Sequence, residues 1–212
     1  MSIYETNRFT LRSRDGAIDK LGIFPKAARV NHSCVPNVFH RFNPNIRRIT
    51  MHAIRDIEPG DEIVTSYIDI CRTTAERQID LRHWGFECGC EACSTDDDEH
   101  EERRQKLAEL LKSIEEEEGQ ASQGCKGGLL SIVEETITLM EQEGLFESDT
   151  LGQVYKKAAQ HASVVGRYKD AHDWARKAAE VEEKCCGTDS VEYGAAIELL
   201  SQLRSTYSNN MT

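Results

Sequence analysis

The chain has 212 residues, and 39% of them are hydrophobic, which is enough for one large or two small packed domains. Its formal net charge is −11. No segment has the pattern of a signal peptide, and no apolar run approaches the length of a membrane span. We therefore expect a soluble, intracellular protein, in the nucleus, the cytoplasm or both, without membrane attachment.

The negative charge is concentrated in the second part of the chain. Residues 1–95 carry 13 basic and 12 acidic side chains, whereas residues 96–212 carry 13 basic and 25 acidic ones. A strongly acidic surface repels phosphate groups, so we expect no direct binding of nucleic acid. The same surface would attract basic peptides such as histone tails, but a solvated helical surface is the simpler interpretation.

Short strands and loops are predicted for the first 95 residues. Phe9–Arg12 alternates apolar and polar side chains, as a strand does. Two β-rich runs, Val38–Phe42 and Arg48–Ile54, are separated by Asn43-Pro-Asn45 and predict a hairpin.

The end of this part contains a further strand and a helix. A strand is predicted from Glu62 to Tyr67, after the turn at Pro59-Gly60. Thr73-Thr-Ala-Glu76 has the form of a capping box and predicts a helix that runs to about His83.

Beyond residue 95 the composition changes, and only helices are predicted. Apolar residues recur at helical spacing, and the predicted helices span 105–118, 129–144, 150–165, 168–185 and 190–207, with a polar, glycine-rich loop at 119–128. Gly166-Arg-Tyr168, followed by Ala171 and Ala175, is typical of a tetratricopeptide-type helix pair. An ordinary helical bundle is the alternative.

Cys88, Cys90 and Cys93 place three thiols within six residues. Intracellular thiols are kept reduced, so this cluster favours a metal site over disulfides. A closed zinc site takes four ligands, so one ligand is missing locally. Cys71 and His83 lie near enough in the sequence to be candidates for it.

Four segments in this order resemble the second half of a SET domain with its post-SET cysteines. They are Asn7-Arg-Phe-Thr10, Arg29-Val-Asn-His-Ser-Cys-Val-Pro-Asn37, Gly60-Asp-Glu-Ile-Val-Thr-Ser-Tyr67 and Trp84-Gly-Phe-Glu-Cys-Gly-Cys-Glu-Ala-Cys93. The resemblance covers residues 5 to 95 and is most similar to the SET-and-MYND type. It implies a protein-lysine N-methyltransferase that uses S-adenosylmethionine and acts on a lysine of a protein, such as a histone or another basic peptide.

The resemblance also implies a role for particular residues. Tyr67 matches the catalytic tyrosine of the family, and a phenol suits this task because it is polar but uncharged at neutral pH. The implied cofactor-binding residues are Asn7, Asn31, His32 and Phe86. Read alone, each of these would more simply be a turn cap, a core histidine or an apolar anchor. Cys34 is the implied fourth zinc ligand, with Cys88, Cys90 and Cys93.

The sequence also departs from the family pattern. A full SET domain begins with a strand pair bearing a Gly-x-Gly loop, but only Gly16 and Gly22 precede Asn31 here, and no MYND zinc finger is present. We therefore expect residues 1–95 to correspond to the back half of the catalytic domain. A fragment or incomplete gene model, a degenerate relative and completion by another chain are the competing explanations, in that order.

The sequence thus predicts an α+β protein. Residues 1–95 form a partial, β-rich SET fold with a zinc-bound post-SET segment, and residues 96–212 form an all-α, tetratricopeptide-like domain. A non-catalytic, zinc-stabilised interaction module is the alternative function. A thioredoxin-like redox protein is disfavoured, because Cys90-x2-Cys93 lacks a βαβ setting.

Overall fold

The structure, a computed structural model, describes residues 2–13, 17–95, 98–119, 128–146 and 148–209. The chain divides into two compact units. The first contains Met1–Ile70, Thr74–Asp96 and Lys184–Val191, and the second contains Cys71–Thr73, Asp97–Glu183 and Glu192–Thr212. The predicted domains, 1–95 and 96–212, differ from these units chiefly at Lys184–Val191 and stay a prediction.

The first unit opens with a short helix and a hairpin. Helix α1 covers Ile3–Asn7, and strand β1 (Arg8–Arg12) pairs antiparallel with β2 (Ile18–Ile23). The strand predicted at Phe9–Arg12 is therefore confirmed, whereas α1 and β2 were not predicted. Phe9 packs edge-on against Phe24 and against His40 of the next hairpin, with ring centroids 5.9 Å and 5.3 Å apart.

The second hairpin was predicted from the sequence and is confirmed. Strand β4 (Val38–Asn43) pairs antiparallel with β5 (Arg48–Ala53) in an unbroken register from Val38↔Ala53 to Asn43↔Arg48. Val38 and Phe39 are both buried although successive strand residues point to opposite faces, so the start of β4 is covered on both sides. The turn that precedes the last helix also belongs to this unit, because the Asp189 carbonyl accepts hydrogen bonds from Asn43 Nδ2 and Asn45 Nδ2 at 3.5 and 2.8 Å.

Two very short strands position the site. Strand β3 (Asn31–His32) runs parallel to β6 (Val64–Thr65), with Asn31 opposite Val64 and His32 opposite Thr65. The strand predicted over residues 62–67 is thus only two residues long. A side-chain hydrogen bond supplements this short backbone pairing, because Asn37 Oδ1 accepts a hydrogen bond from Val64 N at 2.9 Å.

Helix α2 (Thr74–Leu81) confirms the helix predicted after Thr73, and it continues as a 3₁₀ turn at Arg82–Trp84. A one-turn helix, α3 (Glu91–Ser94), then carries the last of the clustered cysteines. Ala27–Arg29 forms a further 3₁₀ turn just before β3.

From residue 98 onward, the described secondary structure of the second unit consists of helices joined by turns, as predicted. Its helices are α4 (Asp98–Gly119), α5 (Gly128–Gln142), α6 (Gln153–Val164, preceded by a π-helical turn at Ser148–Gly152), α7 (Tyr168–Cys186) and α8 (Val191–Asn209). The last residues of α7 and the first of α8 fall in the first unit. Most of the loop predicted at 119–128, including Cys125, lies outside the described residues. None of the described helices is long and apolar enough to cross a membrane.

Small residues dominate the core of the second unit. Ala159 and Ala162 of α6 cluster with Ala171 and Ala175 of α7, and all four are fully buried. Leu130 and Leu203 complete the cluster from α5 and α8, with Trp174 packed against it. Alanines let helix backbones approach closely, so the predicted packing at Ala171 and Ala175 is present, whereas the tetratricopeptide type stays a prediction.

We expect residues 96–212 to fold when expressed alone, because this core draws on no residue before Leu130. Circular dichroism should give a helical spectrum and a cooperative thermal melt. Leu203→Ala should lower its stability by about 2–5 kcal/mol, whereas Val164→Ala, at a position 59% exposed, should leave the melt nearly unchanged. A disordered spectrum would show that the predicted boundary is wrong.

Candidate functional site

The three clustered cysteines are presented by the start of α3. Cys90 directly precedes this helix, and its carbonyl accepts hydrogen bonds from Cys93 N and Ser94 N at 2.9 and 3.0 Å. Ser94 Oγ closes the loop by donating to the Gly89 carbonyl at 3.1 Å. This tight turn directs side chains that are close in sequence toward one point.

Cys34, the ligand implied by the resemblance, completes the cluster from the other side. It is buried, and its Sγ lies 3.6 Å from Cys93 Sγ. The four sulfurs of Cys34, Cys88, Cys90 and Cys93 all lie within 4.8 Å of one another. The structure therefore brings together the four predicted ligands. Within the described parts of the chain, this metal-ligand group includes neither Cys71 nor His83, the two alternatives.

The cluster has the dimensions of a tetrahedral zinc site. Zn–S bonds are about 2.3 Å long, so the sulfurs of a Zn(Cys)₄ site lie about 3.8 Å apart, close to the Cys34–Cys93 separation. Four cysteine sulfurs are also the donor set that selects zinc or an iron–sulfur centre, and zinc forms the closed structural type. The residues present thus suit a structural zinc ion.

Electrostatics of the thiols also favour a cation. The pKa of Cys34 is raised, first by its hydrogen bond to Cys90 and then by burial. The pKa of Cys90 is lowered to about 3, chiefly by that same hydrogen bond. Without a cation the cluster therefore favours one thiolate among thiols. A divalent cation would offset the repulsion and allow all four sulfurs to ionise together.

Helix α2 fixes the cysteine loop through Gln78. Gln78 Nε2 donates to the Cys88 carbonyl at 2.8 Å, and Gln78 Oε1 accepts from Cys88 N at 2.9 Å. The side-chain amide thus pairs with the backbone of Cys88 as a neighbouring strand would. The position of the first loop cysteine is set by this pair of bonds.

His32 lies between the cysteine cluster and Tyr67. Its Nδ1 accepts a hydrogen bond from Tyr67 N at 3.1 Å, and its Nε2 lies 3.3 Å from Cys34 Sγ. Since Nδ1 is an acceptor, a neutral ring carries its proton on Nε2 and donates it toward the sulfur. Burial lowers the pKa of His32 to about 4, although Cys90 opposes the shift, so the ring is neutral at pH 7.

Tyr67 is held at both its backbone and its hydroxyl group. The hydroxyl donates to the Val30 carbonyl at 2.6 Å. Burial, followed by the nearby charge of Glu62, raises the pKa of Tyr67, so the phenol stays protonated at neutral pH. Its ring lies 5.4 Å from the His32 ring. This is the uncharged, fixed phenol that the predicted role requires.

Trp84 extends the aromatic group, and sequence reasoning assigned it no role. Its ring centroid lies 5.3 Å from that of Tyr67, and its Nε1 donates to the Thr6 carbonyl at 3.0 Å. An aromatic residue two positions before Phe86 was the available sequence signal. Together with His32 and Phe86, whose rings lie 6.0 Å apart, Trp84 and Tyr67 form an aromatic wall.

The two predicted asparagines are placed differently. Asn31 is exposed, and its Nδ2 donates to Glu62 Oε1 at 2.6 Å. Asn7 ends α1, and its Nδ2 donates to the Ile3 carbonyl at 2.8 Å. Asn31 thus directly precedes His32 of the aromatic wall. Asn7 is connected to the wall only through its neighbour Thr6, whose carbonyl accepts the hydrogen bond from Trp84. Glu62 was missed as an orienting residue, although it stands in the Gly60-Asp-Glu62 motif.

Comparison with known proteins agrees with this site. Residues 6–68 match the SET domain family. The SET-domain resemblance inferred from the motifs is confirmed, and three of the four motifs lie within this match. The match includes Asn31, His32, Cys34 and Tyr67, whereas Cys88, Cys90 and Cys93 lie beyond it.

Three relatives define the type more closely. The chain is 34% identical to Histone-lysine N-methyltransferase set5 of Schizosaccharomyces pombe, over 82% of this chain and 54% of that protein. It is 42% identical to N-lysine methyltransferase SMYD2-B of Danio rerio, over 42% of this chain and 20% of that protein. It is 35% identical to human Histone-lysine N-methyltransferase SMYD3, over 52% and 27% respectively. The chain thus spans about half of set5 and less of the others.

These relatives support the SET-and-MYND likeness and bear on the alternative function. All three are named as methyltransferases, so a non-catalytic interaction module is not favoured.

Proposed function

We propose that this chain supplies part of a protein-lysine N-methyltransferase that uses S-adenosylmethionine. One observation carries the proposal. The parallel pairing of β3 with β6 brings the Asn31-His32 motif beside Tyr67, whose backbone is bound by His32 Nδ1 at 3.1 Å. Two motifs that lie more than 30 residues apart in the sequence thus meet at one aromatic wall.

The site's own residues suit methyl transfer to an amine. S-adenosylmethionine would supply a methyl group on a positively charged sulfur. A neutral lysine nitrogen would take up that methyl group as the bond from carbon to sulfur breaks, and a proton would then leave the nitrogen for solvent. The rings of Trp84, Phe86 and Tyr67 would exclude water and favour the cationic groups through their faces. The Tyr67 hydroxyl and the Val30 carbonyl would orient the amine.

Asn31, His32, Asn7 and Phe86 are proposed to contact the cofactor. The His32 side chain already binds Cys34 and Tyr67, so its backbone is the part that remains for the cofactor. Asn31 is exposed and Phe86 is 37% exposed, so both are accessible to a ligand. Zinc at the four cysteines would hold Phe86 beside His32, because Cys88 follows Phe86 by two residues.

The proposed substrate is a lysine in a protein, a histone or another basic peptide, in the nucleus or the cytoplasm. The names of set5 and SMYD3 support histone lysines. The excess of acidic over basic residues in 96–212, 25 against 13, favours a basic partner and disfavours direct binding of nucleic acid.

Calorimetry with S-adenosylmethionine tests the proposal. The 212 residues contain no Gly-x-Gly loop before Asn31 to line the opposite side of the pocket. We therefore expect binding weaker than micromolar, because one side of the cofactor stays open to water. A chimera that adds the preceding part of set5 should bind at least about tenfold tighter, or about 1.4 kcal/mol. Its Asn31→Ala variant should lose this gain.

Two results would contradict the proposal in different ways. Micromolar binding by the 212-residue chain would show that the half-pocket suffices or that the chain completes itself as a dimer. Failure of both the chain and the chimera to bind would argue against the methyltransferase role.

A further inference from the structure

A guanidinium group is buried against the cysteine cluster. Arg77 lies on α2 and is 0% exposed. Its Nη2 donates to Cys93 Sγ at 3.6 Å, within the range of hydrogen bonds to sulfur. The same nitrogen contacts the Ala92 carbonyl at 3.1 Å and Thr74 Oγ1 at 3.0 Å. The side chain is therefore fixed beside the last of the four cysteines.

The chemistry of these contacts points to a thiolate partner. A buried positive charge is costly unless an opposite charge and hydrogen bonds compensate it. The Ala92 carbonyl and the Thr74 hydroxyl are neutral acceptors, whereas a cysteine that binds a metal does so as a thiolate and would supply the negative charge. A neutral thiol is only a weak hydrogen-bond acceptor, whereas a thiolate is a strong one. A guanidinium at this place is thus matched to an ionised sulfur.

We propose that Arg77 is a positioning and charge-compensating residue for the four-cysteine metal site. Zn²⁺ with four thiolates carries a net charge of −2, and Cys34 and Cys88 are buried. One guanidinium halves that charge, and its N–H group orients the Cys93 sulfur. Partners beyond the direct ligands set the orientation and electron density of a metal site, and their loss typically lowers metal affinity 10–100-fold.

The neighbouring residue on α2 provides a matched control. Gln78 also holds the cysteine loop, but through the backbone of Cys88 rather than through a sulfur. Loss of Gln78 should loosen the loop without changing the electron density on a ligand atom. Comparing variants of Arg77 with variants of Gln78 therefore separates the effect of charge compensation from the effect of supporting the cysteine loop.

Zinc affinity, measured by competition with a chelator, is the first readout. Arg77→Met should weaken zinc binding by at least about tenfold, whereas Arg77→Lys, which keeps the charge, should recover most of the loss. If Arg77→Met fails to fold, Arg77→Lys is compared with the neutral Arg77→Gln, and the lysine variant must bind zinc more tightly.

The second readout is the sulfur-to-metal charge-transfer band of the cobalt-substituted protein. A hydrogen bond to a thiolate stabilises its electron pairs, so Arg77→Met should shift the band to longer wavelength. Arg77→Lys should restore the band toward its original position, and Gln78→Met should leave it unchanged.

Three outcomes would overturn the proposal. They are a 212-residue chain that binds no zinc, an Arg77→Met variant that matches the unsubstituted chain in affinity and band position, and a Gln78→Met variant that reproduces every effect of Arg77→Met. The proposal rests on the metal site and not on methyl transfer, so calorimetry with S-adenosylmethionine tests the two independently.

Discussion

Replacing Cys34 with serine should reduce bound zinc from about one ion per chain to a small fraction of that. A structural zinc ion contributes about 10–16 kcal/mol of apparent binding free energy in zinc-finger peptides at pH 7, and the loss of one thiolate forfeits much of it. Cys34 is also the only one of the four that lies outside residues 88–93. The change would therefore release the cysteine loop, residues 88–93, from the segment after β3 that holds Cys34.

Elemental analysis of purified protein measures this effect, and limited proteolysis reports the loosened loop. Cys71→Ser is the matched control, since it removes a buried cysteine that was an alternative ligand but is not part of the sulfur cluster. It should retain zinc. Full zinc retention in Cys34→Ser, with loss in Cys71→Ser or His83→Ala, would assign the fourth ligand to one of those residues instead.

Removing the Tyr67 hydroxyl should depress methyl transfer about 100-fold or more in the chimera described above. That is the scale for the loss of one fixed hydrogen-bonding group at a reacting centre. The Tyr67→Phe change keeps the ring between His32 and Trp84, so the aromatic wall remains. It removes the group that donates to the Val30 carbonyl and that we propose orients the amine.

Transfer of a labelled methyl group from S-adenosylmethionine to a lysine peptide measures the rate. Tyr155→Phe is the control, because it removes a hydroxyl that bonds to Glu141 in the second unit. It should leave the rate unchanged. Because burial and the nearby charge of Glu62 raise the pKa of Tyr67, its phenol stays neutral through the neutral pH range. A rise in rate with pH in that range should thus follow deprotonation of the substrate lysine. An unchanged rate in Tyr67→Phe would remove Tyr67 from the proposed mechanism.

The local features of the fold were predictable from the sequence, whereas long-range pairing was not. The hairpin of β4 and β5 follows from alternating side chains around Asn43-Pro44-Asn45, which are all close in sequence. Strand β6 is shorter than the predicted strand over residues 62–67, because its length is set by a two-residue partner, β3. The propensities of residues 62–67 contain no information about that partner.

The start of α4 shows the same limit. The helix begins at Asp98, seven residues before the predicted start at Gln105. The prediction missed these seven residues because 98–104 have no apolar periodicity. Two arginine ion pairs and a histidine contact, all to Glu143, stabilise them instead. His100 Nδ1 and Arg104 Nε both contact Glu143 Oε2, at 2.7 and 2.8 Å, and Arg103 Nε contacts Oε1 at 2.5 Å. Glu143 lies 39 to 43 residues further along the chain.

Some residues of the candidate site could likewise be predicted from the sequence, whereas others could not. The cysteines, Asn31, His32 and Tyr67 occur in motifs whose spacing is specific. Trp84 and Glu62 stand in the same motifs but received no predicted role. Arg77 lies outside them, and a single arginine in a sequence is usually a solvated surface charge. Only the structure shows that Arg77 is fully buried and directed at a sulfur.

A titration of isotopically labelled protein with S-adenosylmethionine, followed by NMR, tests the central claim most directly, because it locates even weak binding. We predict that the amide signals of Asn31, His32, Tyr67 and Phe86 shift at millimolar cofactor, and that those of α4–α6 do not. Asn31→Ala should reduce the shifts. Signals in the first unit that stay unmoved, or shifts confined to residues 98–183, would contradict the assignment of a cofactor site to the first unit.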